Sequence, residues 1–241
     1  MNYTDKYLPK NPTEVVGQDL TNLKRFINEF KKGKAAFVYG PVGCGKTSAI
    51  YALAAESEME VFEVNASDVR NKDQIESVVG SATQQQSLFS FKKGKIILID
   101  EVDGISGQKD RGGVVALIKL VIESPFPIII TANDPFDKKF NALRKKCVMV
   151  EFNILGHEAV LGKLKHICSK ENIDYKDDIL SDLARRSGGD LRAAINDLQM
   201  LTAEGKLDNL ELVGARDRTE NMLNALLKVF KTTDASVANS A

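Results

Sequence analysis

Five short runs along the chain are apolar without alternation: 35–39 (AAFVY), 60–64 (EVFEV, the weakest), 95–99 (KIILI), 127–131 (PIIIT) and 147–152 (CVMVEF). A strand covered by helices on both faces reads this way, whereas a half-exposed strand alternates. Between the runs lie segments of helical pattern, 20–31, 46–58, 72–82 and 114–123. Strand and helix in alternation predict an α/β fold, a doubly wound parallel five-stranded sheet with right-handed crossovers. Past Phe152 the texture changes. No further strand-like run follows, and 157–171, 176–187, 190–204 and 220–230 read as helices. Gly188-Gly189 ends one of these helices, and Asp190 offers a carboxylate to cap the next. The expected division is an α/β domain over 1–153, a small helical lid domain over 154–213, and the start of a further helical region over 214–241. The last ten residues, TTDASVANSA, are small and polar and are expected to fray.

Charge narrows the partners little. Lys+Arg 33 offsets Asp+Glu 33, so net charge selects neither nucleic acid nor a membrane surface, and any basic face has to be local. A content of 43% hydrophobic and 27% charged residues fits a packed globular core and argues against a disordered tail or a disulfide miniprotein. Cys44, Cys147 and Cys168 lie far apart without a CxxC pair, so neither a zinc site nor a disulfide framework is expected. No apolar run approaches the roughly 20 residues that span a bilayer, and MNYTDKYLPK is no signal peptide. A soluble intracellular protein with reduced thiols is the expectation.

The chemistry concentrates at three predicted strand ends. Gly40-Pro41-Val42-Gly43-Cys44-Gly45-Lys46-Thr47, followed by Ser48, matches GxxxxGK[ST] between a predicted strand and a predicted helix. Backbone N–H groups in such a loop curl around phosphates, and the helix N-terminus adds positive potential. Lys46 is expected to reach the β- and γ-phosphates and Thr47 to ligate Mg²⁺. Cys44 fills a variable slot and reads as packing. At the end of the 95–99 run, Asp100 is placed to hold Mg²⁺ through water, and Glu101 to orient or deprotonate an attacking water. A third strand ends Thr131-Ala132-Asn133, where Asn133 is the candidate contact to the γ-phosphate or the water. An Asx-turn before Asp134-Pro135 is the other reading. Gly189-Asp190-Leu191-Arg192 sets Arg192 in the first turn of a helix, where it meets a γ-phosphate only if the helical domain folds over the nucleotide.

In this order these features resemble the AAA+ ATPases and, more narrowly, the clamp loaders of replication factor C large-subunit, archaeal type. The resemblance covers about residues 3–231. It rests further on Tyr7-Leu8-Pro9, Val15-Val16-Gly17-Gln18, the segment 65–71 (NASDVRN), and DEVDGISG over 100–107 followed by Asp110-Arg111-Gly112-Gly113. It implies an ATPase using ATP and Mg²⁺, with adenine stacking near Tyr7, Pro9 and Val16. It also implies a hetero-oligomeric ring with small subunits that opens a sliding clamp and places it on primer–template DNA during replication. Arg70 and Arg111 are then candidate DNA contacts. Gln85, Leu88 and Phe91 resemble a clamp-binding box, although Lys92 stands where a second aromatic is expected. Membrane is not an implied partner; the implied location is cytoplasmic, or nuclear were the chain eukaryotic.

Two departures stand out. Small subunits carry Ser-Arg-Cys where this chain has Lys145-Lys146-Cys147, so it is expected to receive an arginine from a neighbour and donate none, with Arg144 the rival donor. Neither the helical collar nor the clamp-binding tail of large subunits follows, so a fragment or abbreviated homologue is expected. A nucleotide-binding scaffold with little hydrolysis of its own, and another AAA+ replication ATPase such as a helicase loader, are the alternatives.

Overall fold

The computed structural model describes residues 2–65, 94–104, 113–202 and 206–207. Its sheet contains β1 (Ala35–Tyr39), β2 (Met59–Asn65), β3 (Gly94–Asp100), β4 (Ile128–Ala132) and β5 (Cys147–Glu151). All neighbours run parallel, in the order β2-β3-β4-β1-β5. Side chains of a strand alternate between faces, and in the central strands β1, β3 and β4 both faces are dry, whereas edge strand β5 leaves Val148 exposed. Ala35, Phe37, Ile97, Ile99, Ile128 and Ile130 enter one cluster with Leu117 and Leu120 of α4 (Gly113–Glu123). Ala36, Val38, Ile96, Leu98 and Ile129 enter the other. That second cluster is closed by Leu23 and Ile27 of α2 (Thr21–Asn28) and by Ile50 and Leu53 of α3 (Lys46–Glu56). This double burial is why the runs of the three central strands show no polar alternation. Burying aliphatic side chains of this size stabilises by about 1.5–3 kcal/mol each.

A third cluster belongs to the helical part. Val160, Leu164 and Ile167 of α6 (His157–Glu171) meet Leu180 and Leu183 of α7 (Asp177–Arg186) and Ala194 and Leu198 of α8 (Leu191–Leu201). A four-residue α5 (Asn141–Arg144) lies just before β5. One expectation needs correction. The sequence predicts no strand after Phe152, yet β6 (Asp174–Tyr175) pairs with β7 (Lys206–Leu207). Two residues are too few to show a period. The expected helices at 72–82 and 220–230 lie outside the described residues.

The start of the chain is unexpected too. A short α1 (Tyr3–Lys6) docks on the helical part, where Tyr3 and Tyr7 pack against the third cluster. The Tyr3 N–H donates to Gln199 Oε1 at 2.7 Å. Glu171 pairs with Lys6 and accepts the Tyr7 hydroxyl. These two donors, Lys6 first, hold the Glu171 carboxyl below its usual range. Among the described residues no helix is long and apolar enough to cross a membrane. All three cysteines are free.

Candidate nucleotide-binding site

Three positions of the loop leaving β1 favour glycine. Gly40 has φ +149°, and a Cβ there would stand 2.1 Å from the Phe152 carbonyl oxygen. Gly43 and Gly45 sit at φ +69° and +94°, the left-handed region that glycine enters freely. Gly45 is the N-cap residue of α3, so the first N–H groups of that helix open toward the loop. Gln18 fastens the loop from outside: its Nε2 donates to Asn153 O at 2.8 Å and to Cys44 O at 3.2 Å, and its Oε1 accepts the Asn153 N–H at 3.0 Å. Cys44 is 1% exposed within the second cluster, and burial pushes its thiol pKa up, so it packs as expected.

Lys46 folds back onto this loop. Its ammonium donates to Gly40 O at 2.8 Å, Pro41 O at 2.9 Å and Asn133 Oδ1 at 3.0 Å. Thr47 Oγ1 donates to Asp100 and is 3.2 Å from each carboxylate oxygen. The contact crosses the sheet, because β4 lies between β1 and β3. Thr131, at the end of β4 and 1% exposed, fills that gap. Its hydroxyl donates to Asp100 Oδ1 and accepts the Glu101 N–H at 3.0 Å. Glu101 itself has φ +54°, an uncommon conformation costing roughly 1–3 kcal/mol outside glycine. The next residue, Val102, is fully buried in the first cluster. A sharp corner is therefore needed to send Val102 inward while Asp100 stays at the sheet edge.

Sequence reasoning missed Thr131 as a site residue. A hydroxyl ending an isoleucine run was its only signal. Thr131→Val keeps the shape, removes the hydroxyl and leaves the Glu101 N–H without its acceptor. The expected result is a stability loss of about 1–3 kcal/mol in denaturant unfolding, with slower ATP turnover. Unchanged values in both would show the hydroxyl to be dispensable.

The helical part closes the other side. Asp190 caps α8 by accepting the Ala193 N–H at 2.9 Å, as expected from the sequence. The Leu191 N–H donates to Gly43 O at 3.2 Å, and a Cβ on Gly43 would fall 1.7 Å from Asp190 Oδ1. So α8 is seated directly on the loop. Between the two parts lies a cleft of about 450 Å³. Tyr7, Pro9 and Val16 line it, as do Val42 to Ser48, Asp100, Glu101, Asn133 and the exposed Arg192. Gly40 and Pro41 stand behind it as acceptors for Lys46.

Comparison with known proteins agrees with this geometry. Residues 36–154 match the family model "ATPase family associated with various cellular activities (AAA)", and residues 162–203 match the "RCF1/5-like, AAA+ ATPase lid domain". The replication factor C large subunit of Nanoarchaeum equitans is 46% identical over 98% of this chain and 56% of its own length. That of Thermofilum pendens is 41% identical over 95% of this chain and 57% of its own. The chain belongs to the AAA+ ATPases. It spans a little over half the length of these relatives. The RuvB Holliday junction branch migration motor of Thermotoga maritima shares the fold, with TM-score 0.62 at 18% identity over 84% of this chain and 69% of that one.

In this AAA+ chain every predicted site residue is described, and the structure brings all of them to the loop or the cleft. The Asx-turn exists, but Asp134 makes it, accepting the Phe136 N–H at 2.8 Å. Asn133 is left for Lys46. The candidate partner contacts Arg70, Arg111, Gln85, Leu88 and Phe91 lie outside the described residues. Among those described, no cluster of three or more His, Cys, Asp or Glu could hold a metal alone. Thr47 and Asp100 supply two hard oxygen donors, which suits Mg²⁺, an ion normally completed by phosphate oxygens and water.

Proposed function

We propose that this chain is the ATP-binding and ATP-hydrolysing part of a clamp-loader large subunit, which works with small subunits to place a sliding clamp on primer–template DNA. The continuous arrangement Thr47–Asp100–Thr131–Glu101 beside the Lys46 loop carries this reading. In the proposed mechanism Lys46 exchanges two carbonyls and one amide oxygen for charged phosphate oxygens. Asn133, released from Lys46, turns its amide to the γ-phosphate or the attacking water. Glu101 takes the proton of that water. Arg192 reaches the γ-phosphate from the lid. Thr47 and Asp100 would hold Mg²⁺, which supplies neutralisation of phosphate charge when bound. Tyr7, Pro9 and Val16 would cover the adenine. The Tyr7 hydroxyl is already committed to Glu171, so only its ring is available.

A division into 1–153, 154–213 and 214–241 is part of the proposal, supported by the separate third cluster. So is a ring position that receives an arginine and donates none. Arg144 donates to Pro135 O at 2.8 Å and to Asn141 Oδ1, and stacks 5.2 Å from the Phe136 ring centroid. It is engaged by its own loop, and Lys146 offers only a point charge. DNA contact through Arg70 and Arg111, clamp contact through Gln85, Leu88 and Phe91, and a cytoplasmic setting complete the proposal.

Single-turnover hydrolysis with and without replication factor C small subunits tests it. ATP is expected to bind the chain alone and to turn over faster in the assembly. Binding without turnover in the assembly would make the chain a scaffold, and no binding at all would overturn the proposal.

A further inference from the structure

One cation in the cleft has no role in the mechanism above. Lys163, on α6, is the one residue of that helix lining the cleft. It is half-buried, and among the described residues its ammonium makes neither a hydrogen bond nor an ion pair. Burial pulls its pKa below the usual lysine range, with Glu14 nearby opposing the shift. Glu14 is already occupied: its Oε2 accepts the Lys10 N–H at 2.9 Å and its Oε1 accepts Asn11 Nδ2 at 3.2 Å. The Lys163 nitrogen is not sealed from solvent, so water can serve it, and an acceptor on a ligand bound in the cleft would take that water's place.

Position says which end of a nucleotide that is. Ala159, one turn before Lys163, is 3.6 Å from where a Cβ on Gly17 would stand. Residues four apart share a helix face, so Lys163 follows Ala159 along the Val15-Val16-Gly17 segment. It stands with the Tyr7, Pro9 and Val16 wall and with Glu14, whereas Lys46 and the start of α3 serve the phosphates. An ammonium is a pure donor, and the base and the ribose both present acceptors.

We infer that Lys163 binds the nucleoside end of the nucleotide, donating to an acceptor of the base or ribose, so that the helical domain grips both ends of the ligand through Lys163 and Arg192. This rests on the nucleotide-binding reading and deepens it.

The test compares ATP, ADP and inorganic tripolyphosphate as ligands of the 241-residue chain, by calorimetry. Lys163→Met is expected to weaken ATP and ADP alike, by about tenfold, and to leave tripolyphosphate unchanged. Lys163→Arg should restore most of the loss. Lys46→Ala should weaken all three. Unchanged ATP affinity in Lys163→Met, or an equal loss for tripolyphosphate, would overturn the inference while leaving the nucleotide site standing. Wild-type chain that bound neither ATP nor ADP would overturn the nucleotide reading itself, and this inference with it.

Discussion

Glu101→Gln is expected to bind ATP normally and to lose about 10²–10⁴-fold in turnover, the range that general acid–base catalysis contributes. The substitution isolates the carboxylate. Backbone geometry at 101 depends on the N–H donated to Thr131 Oγ1 and on the Gly104 N–H donated to the Glu101 carbonyl at 3.0 Å. Val102, anchored in the core, holds the corner from the other side. None of these involves the Glu101 side chain, so glutamine inherits the same strained position and can still orient water. It cannot take a proton. Single-turnover hydrolysis in the proposed clamp-loader assembly, beside an ATP-binding assay, reads the two effects separately. Wild-type turnover in the variant would exclude Glu101 as the catalytic base.

Lys46→Ala is expected to weaken ATP by roughly 10–100-fold, since hydrogen bonds to charged groups contribute about 1.5–3 kcal/mol each. ADP should suffer less than ATP, because in the proposed site the point charge serves both terminal phosphates. The fold should be nearly untouched: the contacts to Pro41 and Asn133 are solvent-exposed, so water replaces the ammonium there. Lys46→Arg is not a rescue. Three acceptors converge at 2.8–3.0 Å on one nitrogen, a geometry for a compact ammonium rather than a planar fork. Equilibrium ATP binding and a thermal melt check both halves. A loss of ATP affinity accompanied by an equal loss for ADP would show that Lys46 does not reach the γ-phosphate.

Strands and loop are readable in the sequence because their physics is local. AAFVY and PIIIT are buried on both faces and say so in composition, and the glycines of 40–45 answer to backbone conformation at their own positions. Asp190 as a cap is equally local. What stays hidden depends on neighbours distant in sequence. That β4 slips between β1 and β3 follows from sheet order, and only then does Thr131 become the link between Asp100 and Glu101. Gln18 is visible as a motif letter, but its grip on Cys44 and Asn153 needs the fold. Lys163 is one more lysine on a charged helix until the cleft places it.

The docking of α1 on the helical domain also sets an order in time. Tyr3 finds its partner Gln199 across 196 positions of chain. At about 5–20 residues per second of synthesis, the first turn waits roughly 10–40 s before that partner has been made. Late in that interval every strand of the main sheet has been synthesised, while Tyr3 still lacks part of the cluster it packs against. The wall that carries Tyr7 and Pro9 is consequently the last part of the cleft to set. A nascent chain can lay down its sheet early, yet the cleft takes its final form only when the helical domain leaves the ribosome and closes on both the phosphate loop and the waiting first turn.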